Sequence, residues 1–193
     1  SPTVRWTCCG SAASAAGGVL SMQSLLFAVG LSAGSAIPLA AALSRRYPTI
    51  GFDLNQDRIA QLESGLDVTL ELDRVELGAL TGLRFTSNVD DLLVANLHIV
   101  TVPTPVDRYK RPDLTALREA SRMVGRVIKS GDGVVFESTV YPGATEEVCL
   151  PIIAGESGLT LNEDFYAGYS PERINPGDKT HRITHITKVT SGS

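Results

Sequence analysis

From residue 24 onward, short apolar runs of strand length alternate with stretches of helical composition, and this alternation constrains the fold more than any other feature. SLLFAVG (24–30) ends at a glycine and leads into SAIPLAAALSRR (35–46), helical in composition with basic residues in its last turn. PTIGFD (48–53) is a second strand. NQDRIAQLESG (55–65) reads as a helix: Asn55 caps it, Ile59 and Leu62 share a face, and Gly65 suits a left-handed exit. An acidic helix is expected over 71–80 and a strand over 83–87, with Ser87 and Asp90 as a capping box for VDDLLVA. LHIVTV (97–102) is a buried strand. Asp113 caps a long helix carrying Leu117, Ser121, Val124 and Ile128 on one stripe, and GVVFEST (133–139) is the next strand. A helix opens at Gly143 with Glu146 and Glu147 near its positive end; FYAGYS (165–170) and RITHITKVTSG (182–192) read as two further strands.

Such a series implies βαβ units: an α/β, doubly wound, mostly parallel sheet with helices on both faces. Neither an internal repeat nor a linker interrupts it. In these sheets ligands bind beyond the carboxyl ends of the strands, which singles out the loops 30–36, 53–58, 102–112 and 139–144.

The remaining composition narrows the partners. A chain of 193 residues with 43% hydrophobic residues holds one domain with a sizeable core. Net charge is −4 and no run of Lys or Arg occurs, which speaks against nucleic acid as the main partner. Cys8, Cys9 and Cys149 make no disulfide framework, so a reducing cytoplasm is the natural compartment. No charged residue falls between Arg5 and Arg45. That stretch is dominated by Ala, Ser and Gly, and Gly17, Gly18, Gly30, Gly34 and Pro38 interrupt it, so a membrane span is not expected. Residues 1–21 carry no motif and read as a low-complexity leader ahead of a domain spanning 22–193.

The first strand–helix turn, VGLSAGSA (29–36), supplies Gly30 and Gly34 but not the strict G-x-G-x-x-G of a dinucleotide turn; Ser32 and Ser35 hold the other two places. An ordinary Gly/Ser turn is the competing reading. Asp53 ends the second strand where an acid would accept hydrogen bonds from the adenosine ribose of NAD and repel the 2′-phosphate of NADP. It would equally serve as a helix cap. In TVPTPVDRYKRPD (101–113), Pro103 and Pro105 hold an extended path that presents Thr104 and the peptides beside it, from Val102 onward. In FESTVYPGATEE (136–147), Thr139 emerges at a strand end before Pro142 and Gly143 turn the chain. Either could be a plain connection. Cys149 falls mid-helix and reads as a buried structural thiol, His98 as core, and no metal site is expected.

VTVPTPVDRYKRPDL, ESTVYPGATEEV and YSPERINPGDKTHRI, in this order and spacing, resemble the N-terminal domain of the UDP-glucose/GDP-mannose dehydrogenase family. PTIGFDLNQDRIAQLESG fits as well, and the likeness runs from about residue 25 to 193. The wording is most similar to the branch that oxidises UDP-N-acetylhexosamines to uronic acids for capsule or other surface polysaccharides. The UDP-glucose and GDP-mannose branches, or a degenerate non-catalytic domain, are the alternatives. This resemblance implies a Rossmann-like fold, NAD as cofactor, and a homodimer in the full-length protein. It implies cofactor contacts from Gly30, Gly34, Asp53, Arg58, Val102, Pro103, Thr104 and Thr139. Thr139 would position water and nicotinamide, Glu172 would serve thioester hydrolysis, and Glu172, Arg173 and Asn175 would meet the sugar nucleotide. The family nucleophile, a cysteine, and a UDP-binding domain belong to later segments that these residues do not include. The departure is the first turn: GLSAGSAIPLA stands where the family has GLGYVGLPLA.

Overall fold

The computed structural model describes residues 27–31, 36–106, 108–109, 111–171 and 191–192. Strand β1 (Phe27–Gly30) is followed by α1 (Ala36–Ser44), β2 (Thr49–Phe52), α2 (Gln56–Glu63), α3 (Arg74–Gly78) and β3 (Leu83–Thr86). A 3₁₀ turn (Val89–Val94) leads to β4 (Leu97–Val100), α4 (Thr115–Val127) and β5 (Gly133–Phe136). A π-helical turn (Thr145–Cys149) runs into α5 (Leu150–Ser157), and β6 (Tyr166–Tyr169) and β7 (Ser191–Gly192) complete the order.

The strands lie in one sheet in the order β3-β2-β1-β4-β5-β6-β7. All neighbours pair in parallel except β6 and β7. This is the doubly wound order, with its reversal between β1 and β4. Helices cover both faces, as the alternation implied. Ile37 and Ala40 of α1, Ile59 and Leu62 of α2 and Leu77 of α3 bury together against Ile99. Leu117 and Val124 of α4 pack with Ile153 of α5 against Val134 and Phe136. The expected α4 stripe is buried throughout: Leu117, Ser121, Val124 and Ile128.

Local chemistry moves several boundaries. Arg45 and Arg46 lie beyond the end of α1, so that helix has no basic last turn. α3 is shorter than 71–80 because the Glu71 and Leu72 amides bond to the Asp67 carboxylate instead of entering a helix. The helix starts instead from a capping box between Asp73 and Glu76. Before the 3₁₀ turn the cap is Asn88, not Ser87: its Oδ1 accepts from the Asp90 amide. Asp113 acts from two residues before α4, where the Thr115 side chain and its amide, the latter at 2.9 Å, hold its carboxyl below the usual range. The ladders of β4 and β5 stop at Val100 and Phe136, short of 102 and 139. Of the strand expected over 182–192, Ser191–Gly192 pairs antiparallel with β6; the rest, like the leader, lies outside the described residues.

The π-helical turn has a covalent cause. Pro151 has no amide hydrogen and its ring crowds the carbonyl four residues back. The Leu150 amide instead reaches five residues back to the Thr145 carbonyl, and α5 starts regularly after it.

Candidate functional site

The carboxyl ends of β1, β2, β4 and β5 converge around the reversal between β1 and β4. Gly30 closes β1, and the Leu31 amide continues the ladder to the Phe52 carbonyl at 2.8 Å. Thr101, the first residue after β4 and 1% exposed, donates its hydroxyl to the Gly30 carbonyl. This tie fixes the start of the first turn to the neighbouring strand. Sequence reasoning missed it, although a threonine closing the apolar run LHIV is a visible signal. A Cβ placed on Gly30 would meet Thr101 Oγ1 at 3.5 Å, an ordinary contact, so internal packing does not require glycine here. Gly34 lies outside the described residues.

Asp53 follows β2 directly. Its amide donates to Thr86 O at 3.2 Å and its Oδ1 accepts from the Asn55 amide at 2.9 Å. Asn55 in turn caps α2, accepting from the amides of Asp57 and Arg58. The competing reading of Asp53 as the helix cap is therefore wrong: Asn55 does that work, and Asp53 ties the cap to the strand end while remaining partly exposed.

Arg58 sits in the first turn of α2, and its guanidinium turns to Asp67. Nη2 lies 2.5 Å from Asp67 Oδ1, with side-chain exposures of 11% and 0%. Asp67 also accepts from the hydroxyl and amide of Thr69 and from the amides of Glu71 and Leu72. Burial pushes this carboxyl up, but Thr69, Arg58 and the backbone amides outweigh it and hold the carboxyl below the usual range. Breaking such a pair from one side costs about 3–5 kcal/mol. Asp67 therefore organises the loop from 66 to 72 and the direction of Arg58. The sequence signal, an Asp-x-Thr turn, shows the Thr69 contact and gives no hint of Arg58.

The loops after β4 and β5 are stapled to each other. The Glu137 amide donates to Val100 O at 2.8 Å, extending the ladder one step. Ser138, buried, donates its hydroxyl to Val102 O at 2.8 Å, and Thr104 donates to the Thr139 carbonyl. Val102, Pro103, Thr104 and Thr139 are thus brought together at one end of the sheet, with Pro103 and Thr139 exposed. Pro105 O accepts from the Asp113 amide at 2.7 Å, closing the intervening loop, in which the Arg108 and Arg111 guanidinium carbons lie 4.8 and 5.6 Å from the Tyr109 ring centre. Beyond Thr139 the chain turns at Gly143, whose φ of 91° suits glycine, and the Glu147 amide bonds its carbonyl.

β6 ends beside β5. The Ser170 amide donates to Phe136 O at 2.9 Å, so the chain leaves β6 alongside the end of β5. Glu172, Arg173 and Asn175 lie outside the described residues. Cys149 is buried, and burial pushes its thiol up, with Ser121 only partly opposing. It has the character of a packed thiol rather than a nucleophile. His98 is buried in β4 as expected. Among the described residues no group of His, Cys, Asp and Glu is placed to hold a metal ion, and no helix is long and apolar enough to cross a membrane.

A doubly wound sheet with a glycine-ended β1, an acid after β2 and presented loops after β4 and β5 defines a Rossmann-type dinucleotide-binding domain. The chain belongs to the UDP-glucose/GDP-mannose dehydrogenase family, whose NAD binding domain matches residues 29–193. It is 58% identical over 157 residues to a UDP-N-acetyl-D-glucosamine 6-dehydrogenase of Pseudomonas aeruginosa and 55% identical over 157 to one of Salmonella typhi. Each match covers 81% of this chain and 37% of the relative, so the chain spans well under half the length of these proteins. The solved UDP-D-ManNAc dehydrogenase of Pyrococcus horikoshii superposes with a TM-score of 0.77 at 30% identity, covering 87% of this chain and 41% of that one.

Proposed function

We propose that residues 22–193 form the cofactor domain of an NAD-dependent nucleotide-sugar 6-dehydrogenase, which oxidises the C6 alcohol of a UDP-N-acetylhexosamine to the uronic acid for surface polysaccharide. The observation that carries this is the staple that joins Val102–Thr104 to Ser138–Thr139 across the end of the sheet. It joins the two family loops to each other, Thr101 ties the first of them to Gly30, and 58% identity to a UDP-N-acetyl-D-glucosamine 6-dehydrogenase supports the N-acetylhexosamine branch.

The residues present fit NAD. An added Cβ on Gly30 would meet only ordinary contacts, and glycine there would let a pyrophosphate come close to the backbone. Asp53 keeps a carboxylate beside the β2 end, one oxygen of which the Asn55 amide already occupies. Gly30 and Gly34 would face the pyrophosphate, Asp53 the adenosine ribose with Arg58 beside it and its guanidinium turned to Asp67, and Val102, Pro103, Thr104 and Thr139 the nicotinamide half. When bound, NAD supplies the hydride acceptor for both oxidation steps. In this chain Thr139 would position water and the nicotinamide at the strand end, held by the Thr104 bond to its carbonyl. Glu172 takes the proton from the water that releases the acid, and Arg173 and Asn175 bind the sugar nucleotide. The thioester forms on a cysteine of the remaining protein, not on Cys149, whose burial keeps it protonated and out of reach. A cytoplasmic homodimer that binds neither nucleic acid nor membrane completes the proposal.

Calorimetric titration tests it. NAD should bind this chain saturably, and addition of UDP-N-acetylglucosamine should produce no NADH. A protein of the relatives' length, with the downstream segments, should turn over. Absence of NAD binding, or turnover by this chain alone, would refute the assignment.

A further inference from the structure

Arg58 is the cation of the α2 first turn, the place from which an arginine in this fold receives the 2′-phosphate of NADP. Two hydrogen bonds connect it to Asp53: the Asn55 amide bonds Asp53 Oδ1, and Asn55 Oδ1 accepts from the Arg58 amide. Yet the guanidinium is committed elsewhere. Nη2 bonds Asp67 and approaches Thr69 Oγ1 at 3.5 Å, and Asp67 is wholly buried. The other terminal nitrogen, Nη1, is buried and finds no partner among the described residues. The side chain is therefore held by the charge of Asp67 rather than by full use of its donors. A buried, ion-paired guanidinium offers little net charge to a second anion, because its field is already cancelled at contact distance.

We propose that Asp67 is a cofactor-discriminating residue: by pairing with Arg58 it withholds the α2 cation from a 2′-phosphate and so keeps the site selective for NAD. This rests on the reading that NAD binds at the β1–β4 reversal. Asp67 itself touches no cofactor; it is a positioning residue that acts through Arg58. Two acids thus divide the task. Asp53 repels the 2′-phosphate directly, and Asp67 removes the group that would welcome it. The prediction is specific to this pair, since loss of Asp53 alone leaves Arg58 masked.

The test is the ratio of NADP to NAD dissociation constants, measured by calorimetry on the whole chain, with circular dichroism to confirm folding. Asp67→Asn keeps one of the two oxygens that accept from the loop amides and removes the charge. It should lower the ratio about tenfold, the worth of one charge-assisted hydrogen bond to a phosphate. Adding Arg58→Gln to Asp67→Asn should restore the wild-type ratio. Asp53→Asn supplies an independent measurement at a partly exposed position, should Asp67→Asn fail to fold. With Arg58 masked, Asp53→Asn should still prefer NAD, whereas an available Arg58 would make NADP the tighter ligand. An unchanged ratio in folded Asp67→Asn, or a preference for NADP in Asp53→Asn, would overturn the role of Asp67 while NAD binding stands. A wild-type chain that binds neither dinucleotide would overturn the site itself.

Discussion

Ser138→Ala cuts the staple between the β4 and β5 loops without altering any residue assigned to the cofactor. Ser138 is 3% exposed and its hydroxyl lies 2.8 Å from the Val102 carbonyl. A neutral hydrogen bond of this kind contributes about 0.5–1.5 kcal/mol net, and leaving a largely buried acceptor unpaired raises the cost to about 1–3 kcal/mol. The Val102 carbonyl is only partly enclosed, so about 1–2 kcal/mol is expected. For a chain of this length that lowers the midpoint by about 3–6 °C, read by thermal circular dichroism. The Thr104 bond to Thr139 survives the substitution but loses its companion, so the two loops should lose register. NAD affinity should then fall about three- to tenfold by calorimetry, a loss of about 0.7–1.4 kcal/mol. A midpoint within 1 °C of wild type with unchanged affinity would show that the loops hold their geometry without Ser138.

Three further outcomes are expected. Asp67 and Asp132 both have carboxyls held below the usual range, Asp132 by His98 and Lys129 against the opposing effect of burial. Their stabilisation is present above the unfolded value of about 3.9 and is lost as pH falls through the folded values, so the midpoint should drop steeply below about pH 4. Asp67→Asn should flatten that slope, and an identical slope would contradict the assignment. Cys149 should resist a thiol reagent in native protein and react on unfolding, as its raised thiol and full burial require; fast native labelling would contradict this. In a protein of the relatives' length, Glu172→Gln should leave an NADH burst while steady turnover falls by about 10²–10⁴, with a covalent adduct visible by intact mass. Normal turnover without an adduct would place the base elsewhere.

Where sequence and structure agree, the determining chemistry is local. The βαβ series, the Asn55 cap, the left-handed Gly65 and the α4 stripe all follow from periodicity and turn residues a few positions apart. The loops after β2, β4 and β5 were legible because fold topology places βα loops at one end of the sheet. What escaped depends on partners far along the chain. Thr101 bonds Gly30, Ser138 bonds Val102, and Asp67 draws Arg58 from nine positions away. The strand ends were overrun for a related reason. TV and EST continue the β-like composition of β4 and β5, but after the Glu137 amide the ladder gives way to side-chain bonds, Thr101 to Gly30 and Ser138 to Val102. Ser87 and Asn88 are both competent caps, and Thr86, bonding the Asn88 amide and the Asp91 carboxylate, decides between them.

The central claim is that NAD lies over the carboxyl ends of β1, β2, β4 and β5. Amide shift mapping on ¹⁵N-labelled chain during an NAD titration tests it most directly. Saturable shifts are expected at Gly30, Leu31, Asp53, Val102, Thr104, Ser138 and Thr139, with the amides of Asn96, Asp132 and Gly133 at the opposite end of the sheet unmoved. Shifts confined to that opposite end, or none at millimolar NAD, would contradict it.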